Sequence, residues 1–455
     1  MNILKFYFTE ELKEPLVKAV KEGEANIDKE LFKDVNFYRE GNVIYGTYRN
    51  KDDSLRFGAR LFKYLKSNRI KEVYLDLGEL DFKEVALGMF LAAYEFDKHK
   101  KERKTVEYKI YVKGNYEKEL EEVEVIRDAV YLARDWANER PINLNPSTFV
   151  KEVERVFKDL PVNIIVFDHE ELKNRGFGGI YNVGKGSIHP PKLLIIEYLP
   201  NKDERPIVLV GKGVCFDAGG LHLKPTGYIE DMHIDMHGAA SVIAALYGYV
   251  KLVQKGFAKP KNIVVLAPLV ENVPSDKSLR PSDIIKHYNG LTTEVVNTDA
   301  EGRLILADAL AYASEHYDPK LIIDLATLTG AQIVALGHRV AAVMGNNKEL
   351  IEKLVKIGRK VKEYLWELPL LEYKDIYLEM VKGEYTDLKN IPSPTSREAG
   401  SLVGGAFLWH FVKENIPWAH IDIAGPAINP KEWEWMPKNG TGFGVRLLIE
   451  VLKNS

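Results

Sequence analysis

One cysteine, Cys215, stands in 455 residues, so no intrachain disulfide can form, and such usage fits a reducing compartment. Glutamine is almost as scarce, occurring only at positions 254 and 332, while lysine and glutamate abound. That bias resembles proteins from hot environments, where thermolabile amides are few and ion-pair networks common. No charge of one sign dominates: a formal net charge of −3 leaves no basic excess to call for nucleic acid as an obligate partner. No uninterrupted apolar run approaches the roughly 18 residues of a membrane span. The start, Met1 to Glu11, has neither a basic n-region nor an apolar h-region. A soluble, cytoplasmic protein with no membrane association is expected. Internal repeats, low-complexity segments and the Gly-x-Ser-x-Gly elbow of serine hydrolases are also missing.

What is present is a long alternation of strand and helix patterns. With 45% hydrophobic residues over 455 positions, the chain has material for two to three domains' worth of core. Strand patterns at Ile3–Phe8, Val43–Tyr48, Val73–Leu77 and Val106–Val112, with helical patterns at Leu55–Leu65 and Lys83–Phe96, predict an N-terminal α/β domain over 1–130. A charged helical stretch from Tyr116 to Glu139 ends at Arg140-Pro141, where proline biases its predecessor away from helix. Residues 131–160 read as a linking helical segment. Strand patterns recur at Val162–Phe167, Leu193–Tyr198, Ile207–Val210, Ile263–Leu266, Glu294–Val296, Leu321–Leu325 and His420–Ile423, with helices between many of them, notably Ala239–Gln254. The fold class expected is α/β in two domains, each a mostly parallel sheet flanked by helices, the larger being residues 161–455. The polar stretch Asp387–Gly400 reads as an edge loop rather than a linker.

Chemistry concentrates in two blocks. Asn297-Thr-Asp-Ala-Glu-Gly-Arg-Leu304 follows the apolar Val295-Val296 and leads into a helical pattern. On an extended backbone, side chains two apart point the same way, so Asp299 and Glu301 can aim at one point. In α/β sheets, the carboxyl ends of strands are where ligands bind, and two hard oxygen donors there suit a divalent cation. Alone, the same acids also suit a helix N-terminus that complements the macrodipole. The second block follows Ile207–Val210: Gly211-Lys-Gly-Val-Cys-Phe-Asp-Ala-Gly-Gly220, then Lys224, Met232 and Asp235. It adds two carboxylates and two lysines around a glycine-rich turn. Four converging carboxylates would repel strongly unless cations neutralise them. Two metal ions, roughly 3.5–4 Å apart in hydrolytic sites of this kind, would do so.

These residues resemble the signature blocks of the leucyl (cytosol) aminopeptidase family of dinuclear metallopeptidases. The Asn297–Leu304 block matches without departure, and Asp324–Gly330, Arg397–Gly400 and His420–Pro426 support it in the same order; together the likeness spans roughly residues 130–455. The resemblance implies that Asp217 and Glu301 bridge both ions, that Asp299 completes one position, and that Lys212 with Asp235 completes the other. A lysine ligand must be neutral, so Lys212 needs its pKa brought down from about 10.4. Lys224 is implied to stay charged and stabilise the oxyanion, and Arg303 to hold a bicarbonate that takes a proton from the attacking water. Water activated by the two ions would release N-terminal residues, of Leu or Met type, from peptides with a free α-amine. Met232, Asn297, Thr327 and Leu328 are implied to bind the substrate. Zn²⁺ or Mn²⁺, with Co²⁺ or Mg²⁺ as alternatives, fit mixed lysine and carboxylate ligation. A homohexamer is implied, and so is an alternative DNA-binding or regulatory role known for some members.

Departures are small: Cys215 stands where the family commonly has Thr, Ala218 where it has Ser, and His237 where a small or uncharged residue is usual. His237 is placed to sit near Asp235 and tune it. Look-alike motifs fail in detail. Phe216 occupies the sixth position where a dinucleotide loop needs glycine, and Val214 breaks a phosphate loop. His233 and His237 have zinc-site spacing, but Ile234 replaces the glutamate base, and ordinary packing explains them. Cys215 reads as a small buried residue.

Overall fold

The computed structural model describes residues 1–24 and 33–455. They form two compact units: residues 1–131 with 429–439, and residues 132–428 with 440–455.

The first unit is a six-stranded sheet in the order Asn2–Thr9, Val106–Lys113, Glu72–Asp76, Leu16–Lys21, Val43–Tyr48, Phe37–Glu40. All pairings are parallel except the last. Leu16–Lys21 and Phe37–Glu40 go unpredicted by the sequence, because each is short and mixes charge with its apolar residues. Helices Ser54–Ser67 and Phe82–Ala93 pack together so closely that a Cβ on Gly58 would lie 1.9 Å from the Val85 carbonyl oxygen. Arg56 and Arg60 both reach Glu434 Oε1, at 2.9 and 3.2 Å, and Arg60 also reaches Asp34 at 2.7 Å. This is an ion-pair network of the sort the lysine- and glutamate-rich composition anticipates.

The second unit is built on a nine-stranded sheet. Its order is Tyr364–Glu367, Val340–Gly345, Trp418–Asp422, Leu321–Ala326, Ile207–Gly211, Ile263–Asn272, Lys192–Tyr198, Asn163–Phe167, with Gly213–Asp217 pairing the far half of Ile263–Asn272. The central pairings are parallel. Ile207–Gly211 is buried at every residue, as expected of a strand covered on both faces. Val208 and Val210 pack against Leu304, Ala307 and Ala311 of helix Gly302–His316, while helix His237–Gln254 also packs against this strand. The stretch Met232–Gln254 is long and apolar enough to cross a membrane, yet most of it is buried in the unit. Polar residues His233, Asp235, His237 and Lys251 interrupt the run, and its apolar residues are those of a core helix of the unit.

One correction concerns the strand read at Glu294–Val296. The strand is Thr292–Glu294, and it belongs to a separate three-stranded sheet rather than the main one. Val295 and Val296 lie beyond it. The first block is therefore not at the carboxyl end of a main-sheet strand, whereas Lys212, just after Ile207–Gly211, is.

Candidate metal centre

Lys212 leaves the sheet where its strand ends, held by its N–H on the Leu325 carbonyl (3.1 Å) and by its own carbonyl, which accepts from Ala239 N (2.8 Å). Its side chain runs over the first turn of helix Gly302–His316. The Lys212 Nζ there meets Asp235 Oδ1 at 2.7 Å, Glu301 Oε1 at 3.0 Å and the Thr327 carbonyl at 2.8 Å. Asp235 follows the short 3₁₀ turn Met232–Ile234. Thr327 Oγ1 donates to its Oδ1 at 2.7 Å, while its Oδ2 is buried with no hydrogen-bond partner among the described residues.

Asp217 ends the strand Gly213–Asp217. Its Oδ1 accepts from Gly219 N and Asn272 Nδ2, both at 2.8 Å, and its Oδ2 meets Lys224 Nζ at 2.8 Å. Lys224 also meets Asp299 Oδ1 at 2.6 Å. Gly219 takes φ +88°, and a Cβ there would stand 2.3 Å from the His222 carbonyl oxygen. Only glycine fits the turn that carries Lys224 back over Asp217.

Asp299 and Glu301 converge, but not by the extended backbone that their spacing suggests. Asp299 lies in a turn closed by its N–H on Asn297 Oδ1 (2.7 Å) and by Ala300 N on the Asn297 carbonyl (3.2 Å), and Glu301 is helical, at φ −80° and ψ −33°. The turn brings the acids together, and Asp217, Asp299 and Glu301 each offer an oxygen within 4.8 Å of the others.

Charge here is out of balance. Four carboxylates, three of them almost wholly buried, face two ammonium groups. Burial first, then the charges of Asp217 and Glu301, push Asp299 up to about 7 despite Lys224. Burial likewise raises Asp235 and Glu301. Burial opposes the charge on Lys212 and Lys224, yet the surrounding carboxylates outweigh it and raise both. In this arrangement Lys212 is thus a counter-ion rather than a neutral ligand. The residues fit divalent cations: hard oxygen donors, an excess of buried negative charge and an unpartnered buried carboxylate oxygen.

Arg303 is buried in the first turn of the helix, with Nη1 donating to the Asn390 carbonyl (2.8 Å) and Nε without a hydrogen-bond partner among the described residues; burial lowers it to about 10. Leu328 and Thr327 follow the strand Leu321–Ala326, and Met232 starts the turn before Asp235.

Three residues that sequence reasoning passed over complete the scaffold. Asn272 joins Asp217 to the Thr298 carbonyl (3.0 Å). Its signal was a polar residue closing a ten-residue buried strand. Asn390, fully buried in the polar stretch read as an edge loop, accepts from Val296 N at 2.8 Å and donates to the Asn297 carbonyl at 2.6 Å. His222 Nδ1 accepts from Thr298 N at 3.1 Å. A cavity of about 670 Å³ lined in part by His222, Val296 and Lys389 adjoins this loop, while another of about 520 Å³, beside Trp366 and Arg359, shares no residue with the cluster.

The other candidates are structural. His233 pairs with Arg140 Nη1 at 2.9 Å, and burial with that positive charge lowers it to about 4. His237 is fully buried, and burial followed by Arg134 lowers it to about 3, so it is a neutral core residue; among the described residues neither ring nitrogen has a hydrogen-bond partner, Asp235 included. Cys215 is buried and its thiol pushed well up, unsuited to a nucleophile.

The pattern described as "Cytosol aminopeptidase family, catalytic domain" matches residues 131–449. The chain belongs to the cytosol aminopeptidase family. A "Probable cytosol aminopeptidase" of Syntrophotalea carbinolica is 40% identical over 416 residues, covering 87% of this chain and 80% of the relative. One from Rickettsia massiliae is 41% identical over 379 residues, covering 81% and 74%. Among solved structures, the cytosol aminopeptidase from Coxiella burnetii superposes with a TM-score of 0.84 at 27% identity, covering 99% of each chain. The bottromycin maturation enzyme BotP in complex with Mn gives 0.84 at 29% identity, covering 96% of this chain and 98% of that one. This family member is a hydrolase, a metal-dependent aminopeptidase acting on peptides.

Proposed function

We propose that Lys212, Asp217, Asp235, Asp299 and Glu301 hold two divalent ions, and that the enzyme releases N-terminal residues, Leu or Met preferred, from peptides with a free α-amine. The observation that carries this reading is the surplus of buried carboxylate charge over ammonium charge, with Asp235 Oδ2 left unpartnered. Asp217 and Glu301 would hold both ions, Asp299 would complete one position, and Lys212 with Asp235 would complete the other. As a ligand Lys212 would have to be neutral, which ions taking over its neutralising role would favour. Zn²⁺ and Mn²⁺ are the proposed pair, Mn²⁺ drawing support from the BotP complex, with Co²⁺ or Mg²⁺ as alternatives. Bound ions would supply Lewis acidity and a water acidified toward about 7.

The chain's own groups do the rest. Lys224 keeps its charge and sits at the edge of the cluster, where it stabilises the oxyanion formed at the scissile carbonyl. Arg303, whose Nε has no hydrogen-bond partner among the described residues, would hold a bicarbonate, which would supply a base beside the centre. Met232, Asn297, Thr327 and Leu328 bind the substrate and its first side chain. We further propose a cytoplasmic homohexamer in which 1–130 forms an N-terminal domain, 131–160 a link and 161–455 the catalytic domain. No observation favours a DNA-binding or regulatory role. Leucine p-nitroanilide and its N-acetyl derivative, assayed after chelation and after Mn²⁺ or Zn²⁺ is restored, test the reading. Restored cleavage of the free-amine substrate alone is expected; equal cleavage of both, or none with any metal, overturns it.

A further inference from the structure

The block His420–Pro426 supplies no ligand in that scheme, yet its Asp422 is fully buried and reaches straight into the loop beside the centre. Asp422 Oδ1 accepts from Leu328 N at 3.1 Å, Thr329 N at 3.4 Å and Ala424 N at 3.2 Å, and its Oδ2 accepts from Thr329 Oγ1 at 2.6 Å. Thr329 Oγ1 also lies 2.8 Å from Ser401 Oγ. The residue before this clamped pair is Thr327, whose carbonyl accepts from Lys212 Nζ and whose hydroxyl donates to Asp235 Oδ1. One hydroxyl thus occupies one oxygen of Asp235 and leaves the other, Oδ2, unpartnered.

We infer that Asp422 is a positioning residue for the Lys212 and Asp235 side of the centre, acting through Thr327. The inference rests on the two-ion reading above. Removing the carboxylate leaves the Leu328 and Thr329 N–H groups buried and unpaired, a cost relieved only by moving the loop. Thr327 moves with it, and both Lys212 and Asp235 lose a hydrogen bond that fixes their direction. Groups one step behind metal ligands act in this way, and their loss typically costs 10–100-fold in affinity. Lys224 and Asp299 touch none of these atoms in the hydrogen-bond pattern, so the other ion position is spared.

The test is calorimetric titration of chelator-treated protein with Mn²⁺ for wild type, Asp422→Ala, Thr327→Val and the double variant. Each single change is expected to weaken one of two Mn²⁺ steps by about 10-fold or more and to leave the other alone. The double variant is expected to bind no more weakly than the worse single one, because both act through one path. Asp422→Asn keeps the Oδ1 acceptor and should recover most of the affinity. Effects that multiply in the double variant, that fall on both steps alike, or that lower only the melting temperature overturn the inference. Should Asp422→Ala not fold, Thr329→Val, which removes a single hydroxyl, takes its place in the same cycle. Wild type that binds no Mn²⁺ overturns the two-ion reading and this inference with it; normal wild-type binding with unaffected variants overturns this inference alone.

Discussion

A Cβ on Gly302 would stand 2.4 Å from Cε of Lys212. The glycine in the Asn297–Leu304 block is therefore the space through which the Lys212 side chain reaches Asp235 and Glu301. Gly302→Ala costs the helix nothing in propensity, and the flexible lysine can yield. The expected result is a melting temperature near wild type with Mn²⁺ affinity lowered by about 10-fold. Unchanged affinity would show that Lys212 is no ligand.

Glu301→Gln removes the carboxylate proposed to bridge both ions while keeping its shape. Metal content after gel filtration should fall below that of wild type, and activity with it. A variant that keeps full metal content and activity contradicts the assignment.

The legibility of the site followed from chemistry that does not depend on geometry. Asp217, Asp235, Asp299, Glu301, Lys212 and Lys224 announce themselves as an excess of charged residues beside apolar strands, and the structure gathers them. What sequence could not supply was the path of the backbone between them. The Asp299 and Glu301 spacing suggested a strand, but Asn297 caps a turn instead, because a local side-chain hydrogen bond competes with the extended form. Asn272 and Asn390 were unreadable for a related reason: a neutral amide gains its meaning only from the partners that folding brings to it, here 55 and 93 residues away in the chain. The sheet was legible where strands are buried on both faces and continuously apolar, as at Ile207–Gly211. It was not legible at Leu16–Lys21, where Lys18 and Lys21 interrupt a run of only six residues.

Lys224 and Arg303 separate by kinetics. Lys224→Ala should lower kcat by about 10²-fold or more, the usual cost of removing an oxyanion donor, with KM little moved. Arg303→Ala should lower activity at unchanged metal content and abolish any stimulation by added bicarbonate. A Lys224→Ala effect confined to KM, or normal bicarbonate stimulation of Arg303→Ala, contradicts the corresponding role.

His237 sets an acid limit on stability. Burial, then Arg134, lowers its folded-state pKa to about 3, against about 6.5 in the unfolded chain. Between those values the unfolded chain binds a proton that the folded one refuses, so stability falls as pH drops from about 6.5, by up to about 1.4 kcal/mol per pH unit, and levels off below about 3. Denaturant melts of wild type and His237→Asn across this window should show a shallower pH slope in the variant. Parallel slopes would contradict the burial argument.

The central claim is that the buried carboxylates and Lys212 hold two divalent ions per chain. Its most direct measurement is equilibrium titration of chelator-treated protein with Mn²⁺, counting ions bound per chain while activity on leucine p-nitroanilide is followed on the same samples. Two ions per chain, with activity rising as the second is taken up, is the predicted result. Full activity with one ion per chain, or with none, would contradict the account.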